Sequence, residues 1–146
     1  MRFFNQKQLA MSLIGLGAVP LVVGGLLVVT QTNLAFLPAA SALMLHVYGV
    51  IVASLVAGVH WGIHFCKRTN DSVYLLSCLS ALLLWLSFMW AGRAAGFALV
   101  LVSFVLLWVE EYRLSQQRVT TLWFWQLRNL VSAIAVVSLL LAIIGS

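Results

Sequence analysis

The three histidines, His46, His60 and His64, are the side chains of this chain best suited to ligand or metal chemistry. In a helix all three lie on one face, within an arc of about 80°. His46 and His60 are fourteen residues apart, a separation that would stack two haems, but each haem needs a second axial ligand from another helix. Because no other apolar segment contains a histidine, a bis-histidine haem would require a homodimer, Met89 or an outside ligand.

His60 and His64 stand four residues apart and could chelate a transition metal. The glutamate that follows the first histidine of a metalloprotease helix is absent, since Trp61 occupies that position. We therefore expect no metal site here. The structural interpretation is favoured instead: each imidazole forms a hydrogen bond with a carbonyl, a hydroxyl or a carboxylate across a helix interface.

A second polar group is predicted from depth in the membrane. Arg128 lies about 9 Å inside its helix, at 1.5 Å per residue, and a buried arginine needs a partner unless it extends to the lipid headgroups. We expect Glu110 to be that partner in a structural ion pair, while Glu111 faces the headgroups, because adjacent helical residues point about 100° apart. The alternative is that Arg128 only extends to phosphates beside Trp125.

This polar group has two possible roles. It could be a structural clamp between two helices, or the floor of a pocket for a lipid or quinone headgroup. In the second case the candidate ligand-binding residues are His60, Trp61, Glu110, Trp125 and Arg128, with the two indoles stacking on a ring. Intramembrane ionisable residues are functional candidates by default.

The composition shows which elements position these residues. Of the 146 residues, 64% are hydrophobic and 8% are charged, whereas a soluble domain carries about a quarter charged residues. The net charge of +5 comes from eight basic residues scattered between long apolar runs, which excludes the dense basic patch of a nucleic-acid binder. The chain is therefore predicted to be an integral membrane protein in contact with the lipid bilayer.

The apolar runs predict an all-α bundle of five transmembrane helices forming a single domain over residues 1–146, because a span needs about 20 apolar residues. The predicted spans are Met11–Thr30, Ala42–Phe65, Ser72–Trp90, Ala94–Tyr112 and Leu122–Ile144.

The basic residues orient this bundle, because Lys and Arg in short loops stay on the cytoplasmic side. Only Arg93 falls on the opposite side of the predicted bundle. The N-terminus is therefore predicted in the cytoplasm and the C-terminus outside. The seven residues that set this orientation are Arg2, Lys7, Lys67, Arg68, Arg113, Arg118 and Arg128.

The second span carries small residues on two faces, with the spacing that lets helices pack closely in lipid. A helix with small residues on two faces should have neighbours on both, which predicts that this span lies in the middle of the bundle. Its packing residues are Gly49, Ala53 and Ala57 on the histidine face, and Ser54, Gly58 and Gly62 on the other.

Several motifs occur in a specific order along nearly the whole chain. They are Gly15-x-Gly17-x-x-Pro20, Tyr48-Gly49, Gly58-Val59-His60-Trp61-Gly62, an acidic residue closing the fourth span, and Trp123-Phe124-x-x-Leu127-Arg128. In this order the chain resembles the membrane-protein family called domain of unknown function 3429.

The resemblance implies a five-helix protein of bacterial inner membranes, with relatives in mitochondria, and it implies no activity. The residues that match its motifs are Gly58, His60, Trp61, Gly62, Glu110 and Arg128. Since His46 and His64 lie outside the recurring run, the resemblance disfavours haem and metal. It favours the grouping of His60, Glu110 and Arg128.

Two functional hypotheses follow. The first is a non-enzymatic accessory or assembly protein that binds lipid or another membrane subunit, possible partners including a second copy of the chain. The alternative is a redox-linked module that binds quinone or haem in a groove beside His46, Ala53 and His60.

Overall fold

The computed structural model describes residues 6–31, 41–67, 72–117 and 121–145, and all regular structure in these ranges is helical. The cations Arg2, Arg68 and Arg118, which enter the predicted orientation, lie outside the described residues. Five α-helices follow one another: α1 (Gln6–Val29), α2 (Ser41–Lys67), α3 (Ser72–Ser87), α4 (Ala94–Gln116) and α5 (Leu122–Gly145).

All five helices are long and apolar enough to cross a membrane. Each predicted span falls on one of these helices, although the ends differ and α1 begins at Gln6 rather than Met11. α4 continues to Gln116, four residues beyond the predicted end, and α3 closes with a short 3₁₀ helix, Phe88–Trp90. The exposed surface is strongly apolar, since Leu16, Leu55, Leu75 and Ile144 each expose between 67% and 82% of their area. Such a surface is that of a protein solvated by lipid.

The helices form a closed ring, because each packs against the next along the chain and α1 also packs against α5. α2 additionally crosses the ring to contact α4. α1 and α5 run in the same direction and approach closely at small residues. A Cβ on Gly25 would lie 3.2 Å from Ser138 Cα, and one on Gly145 would lie 3.1 Å from the carbonyl oxygen of Val28. Small side chains thus allow two backbones to pack together in lipid.

α1 and α2 contact each other near Pro20, which has no backbone N–H to donate to a carbonyl of the preceding turn. α1 nevertheless continues through it as a helix. In the preceding turn, the Tyr48 hydroxyl of α2 donates a hydrogen bond to the Gly17 carbonyl at 2.6 Å. The two motifs Gly17-x-x-Pro20 and Tyr48-Gly49 therefore meet in one contact.

We call the two ends of the bundle the basic end, which holds Lys67 and Arg113, and the Arg93 end. At the Arg93 end the chain turns between α3 and α4 within a few residues. Gly92 adopts a φ of 73°, which favours glycine. Gly96 sits in the first turn of α4, where a Cβ would lie 2.3 Å from the Trp90 carbonyl oxygen and 2.9 Å from His46 Cε1.

We expect Gly96→Ala to destabilise the bundle by about 1–3 kcal/mol, because the added methyl collides with backbone that cannot move without opening the turn. The matched control is Gly15→Ala on α1, where nothing lies within 4 Å of the new Cβ. Thermal unfolding of both purified variants in one detergent checks this prediction. Equal unfolding temperatures for the two variants would contradict it.

Candidate functional site

Two buried glutamates define the polar site at the basic end. Glu110 and Glu111 occupy adjacent positions near the end of α4, with 1% and 9% of their areas exposed. Because adjacent helical residues diverge by about 100°, the two carboxyls face different neighbours. Glu111 meets α5, and Glu110 lines a cavity beside α3.

Glu111 forms the ion pair that joins α4 to α5. Arg128 Nε donates a hydrogen bond to Glu111 Oε1 at 2.8 Å, and Arg128 Nη2 donates to the same oxygen. The two side chains are 15% and 11% exposed. An arginine at this depth is thus neutralised within the protein. A second polar link between the same helices runs from Trp108 Nε1 to Asn129 Oδ1 at 2.7 Å.

The predicted pair of Glu110 with Arg128 is therefore wrong in its acidic partner. Glu111 takes that position, and Glu110 instead accepts a hydrogen bond from Arg113 Nη1 at 2.9 Å within α4. The reason is the helical phase of α4, which directs residue 111 toward α5 and residue 110 toward α3. The sequence contains both carboxyls at nearly equal depth, so only the rotation of α4 about its axis decides between them. The Glu110–Arg113 pair could have been predicted from the sequence, since residues three apart are neighbours on a helix surface.

His60 extends the ion pair to α2. Its Nε2 lies 4.0 Å from Glu111 Oε1, and the residue is 1% exposed. Among the described residues, neither ring nitrogen of His60 nor Glu111 Oε2 has a hydrogen-bond partner. A cavity of about 10 Å³ lies beside Glu111 and Arg128, lined also by Phe124 and Trp125. Its size suits about one water molecule, which is a common partner for buried polar atoms.

Glu110 and Arg113 belong to a larger cavity of about 220 Å³ between α3 and α4. Glu110 is 2% exposed at its side chain, whereas Arg113 is 56% exposed. The other lining residues are Ser72, Val73, Leu114 and Gln117. Nothing in the sequence marks Arg113, Ser72 or Gln117 as site residues, because the cavity depends on how two helix ends meet.

The two predicted stacking indoles lie in separate aromatic groups. Trp61 packs edge-on against Tyr74 of α3, with ring centroids 4.6 Å apart. Trp125 stacks on Trp108 of α4 at 6.4 Å. His64 is edge-on to Tyr74 at 4.4 Å, and so belongs to the first group. The structure therefore groups Glu111, Arg128, Trp125 and His60, but it does not bring Trp61 to them as a stacking partner.

His46 lies at the Arg93 end and is fully buried. Its Nε2 is 3.1 Å from the Ser87 hydroxyl, which itself donates to the Leu84 carbonyl at 2.6 Å. Because the single hydroxyl proton is used on Leu84, the imidazole is the donor to Ser87. Phe88 and Phe97 each pack edge-to-face with the imidazole, with ring centroids 5.7 Å apart. His46 thus makes a cross-helix hydrogen bond to a hydroxyl.

The residues do not fit a haem or a quinone beside the histidine face of α2. His46, Ala53 and His60 are at most 1% exposed, because that face is packed against other helices of the bundle core. The groove expected beside these three residues is therefore filled by protein. Within the described ranges, no group of three or more His, Cys, Asp or Glu could hold a metal ion.

The two small-residue faces of α2 differ in their surroundings. Gly49 faces α4 and α5, since a Cβ there would lie 3.3 Å from Val100 and 3.8 Å from Leu139. Ala53 and Ala57 are buried beside it. The other face, which we call the α2 strip, consists of Ser54, Gly58 and Gly62, and all three are exposed.

Among the residues that the structure describes, none lies within 4 Å of a Cβ built on Gly58 or Gly62. The expectation that α2 has neighbours on both small-residue faces is therefore wrong for the α2 strip. The physical reason is that α1 and α3 flank α2 in the ring and leave its outer side open.

Fold and site together define a multi-pass helical membrane protein in which the two glutamates of α4 are paired with arginines at one end of the bundle. A family profile described as Protein of unknown function (DUF3429) matches residues 6–144, and the chain belongs to this family. The resemblance identified from the sequence motifs is confirmed over nearly the whole chain. No curated protein and no solved structure matches the chain significantly.

We expect Arg128→Gln to destabilise the protein by about 3 kcal/mol, because it leaves the Glu111 carboxylate buried without its cation. Adding Glu111→Gln should restore most of that loss, since an amide pair carries no buried charge. The control is Arg93→Gln, which removes an exposed cation at the opposite end of the bundle and should cost under about 1 kcal/mol. Unfolding curves of the three variants in detergent provide the measurement. An Arg93→Gln loss as large as that of Arg128→Gln would refute the ranking.

Proposed function

We propose that this protein is a non-enzymatic accessory or assembly protein that binds a transmembrane helix of another membrane subunit along the α2 strip. The observation that carries the proposal is the exposure of Ser54, Gly58 and Gly62 on the outer side of α2. Nothing lies within 4 Å of a Cβ built on either glycine. The strip runs for about 12 Å along the helix at 1.5 Å per residue.

The physical basis is helix association in lipid. Lipid chains are as apolar as leucine, so helices associate through close packing and backbone approach at small residues. The α2 strip offers a shallow track beside the larger exposed side chains of Ile51, Leu55 and Val59. The ridge of side chains on a partner helix could therefore pack against the α2 strip. The same packing principle operates inside the protein, where Gly25 and Gly145 bring α1 and α5 together.

The pairing of the polar groups supports a non-enzymatic role. Glu111 is committed to Arg128, Glu110 to Arg113, and His46 to Ser87. An accessory role requires the partner on the strip to be a separate subunit, and a second copy of the chain is the alternative that the crosslinking test excludes.

We expect a photo-crosslinking amino acid placed at Leu55 to capture a distinct membrane protein in native membranes. The same probe at Leu130 of α5, which is 59% exposed away from α2, should capture lipid or nothing. Gly58→Leu should abolish the Leu55 adduct without lowering the unfolding temperature, since its side chain enters open space. Gly15→Leu on α1 is the matched control and should leave the adduct intact.

Two outcomes would contradict this proposal. One is an adduct at twice the mass of the chain, which would indicate a homodimer. The other is an adduct that persists in Gly58→Leu.

We further propose that the protein lies in the cytoplasmic membrane of a bacterium with its basic end inside, on the argument that Lys and Arg in short loops are retained there. A fluorescent protein fused to the N-terminus should then be bright. Alkaline phosphatase fused to the C-terminus should be active, because it matures only outside the cytoplasm. The reverse pattern of the two reporters would contradict this orientation.

A further inference from the structure

The geometry points to a lipid-headgroup site in the cavity between α3 and α4, with phosphoethanolamine as its ligand. This site is separate from the α2 strip. It lies at the basic end and is lined by Ser72, Glu110, Arg113 and Gln117, with apolar contacts from Val73 and Leu114. Its volume of about 220 Å³ is below the range of about 300–1,000 Å³ for drug-sized ligands. The cavity therefore suits a small headgroup of a few heavy atoms.

The acidic half of the site is Glu110. A carboxylate that is 2% exposed at its side chain is costly in a low-dielectric region unless it is paired. Arg113 Nη1 binds one of its oxygens at 2.9 Å, and the carboxyl forms part of the cavity wall. A ligand ammonium group with free N–H donors would gain a charge-assisted hydrogen bond here.

The basic half of the site is Arg113. Its side chain is 56% exposed although it pairs with Glu110, so an anion can still reach the guanidinium. An arginine presents five N–H donors, and phosphate is a preferred bidentate partner. Ser72 begins the 16-residue helix α3, and it lines the same cavity together with Val73. The first amides of a helix and a serine hydroxyl both favour a phosphate oxygen.

A zwitterion matches both halves at once. Insertion of the headgroup would exchange the single Glu110–Arg113 pair for two pairs, one from ammonium to Glu110 and one from phosphate to Arg113. A purely anionic headgroup would bring its charge beside the buried Glu110 carboxylate. A choline headgroup has the same charges, but its trimethylated nitrogen has no N–H to donate. The site is therefore expected to favour a primary ammonium over choline.

The test is lipid binding to the full-length protein, measured by native mass spectrometry during titration with phosphatidylethanolamine, phosphatidylcholine or phosphatidylglycerol of identical acyl chains. We expect phosphatidylethanolamine to bind about ten-fold more tightly than phosphatidylcholine, the size of one charge-assisted hydrogen bond. Glu110→Gln should bring the two affinities together. Arg113→Gln should weaken both by a similar factor, because both lipids carry the phosphate.

The control variant is Arg93→Gln, which removes one exposed cation at the opposite end and should leave all three affinities unchanged. Equal binding of phosphatidylethanolamine and phosphatidylcholine to the unmodified protein would overturn the proposal. Tighter binding of phosphatidylglycerol would also overturn it. If Glu110→Gln does not fold, the affinity ratio of the unmodified protein and the loss in Arg113→Gln decide the question. Loss of subunit capture at the α2 strip would not affect this readout.

Discussion

A buried charge in a lipid-solvated bundle must find its counter-charge within the protein, and the basic end of this molecule is organised around that requirement. Arg128 lies about two turns inside α5, where lipid offers no hydrogen bonds. Glu111 neutralises it from α4, and His60 approaches the same carboxylate from α2. The rotation of α4 that directs Glu111 toward Arg128 also determines what every other residue at this end of α4 can contact.

The second glutamate shows the consequence of this rotation. With Glu111 committed to α5, Glu110 points toward α3, where it pairs with the exposed Arg113 and lines a polar cavity. The same turn of α4 thus supplies two ion pairs. We call Glu111–Arg128 the closed pair, because both side chains are largely buried, and Glu110–Arg113 the open pair, because its arginine is exposed. The closed pair is a largely buried contact between α4 and α5, while the open pair can exchange partners with a ligand. The difference between a structural and a binding role lies in the exposure of the cation, which is 15% for Arg128 and 56% for Arg113.

Small residues determine the remaining contacts of the bundle. Where they face another helix, as at Gly25 and Gly49, backbones or side chains pack at close range. Where they face outward, as at Gly58 and Gly62, the same side-chain geometry leaves a helix surface without an intramolecular neighbour. The ring arrangement of five helices accounts for this difference, because α2 has α1 and α3 on its flanks and α4 across the ring. Its fourth side is left to lipid or to a partner.

The sequence by itself determined the class of protein, the number and approximate extent of the helices, the family, and the positions of the ionisable residues along the helices. These properties follow from hydropathy and rise per residue, which are local. Only the tertiary structure decided which glutamate pairs with Arg128, and it decided that the groove beside His46 and His60 is filled. It also decided that one small-residue face of α2 is open. All three depend on the rotation of each helix about its axis. That rotation is set by packing between helices, and it cannot be read from the sequence of a helix that is apolar on every side.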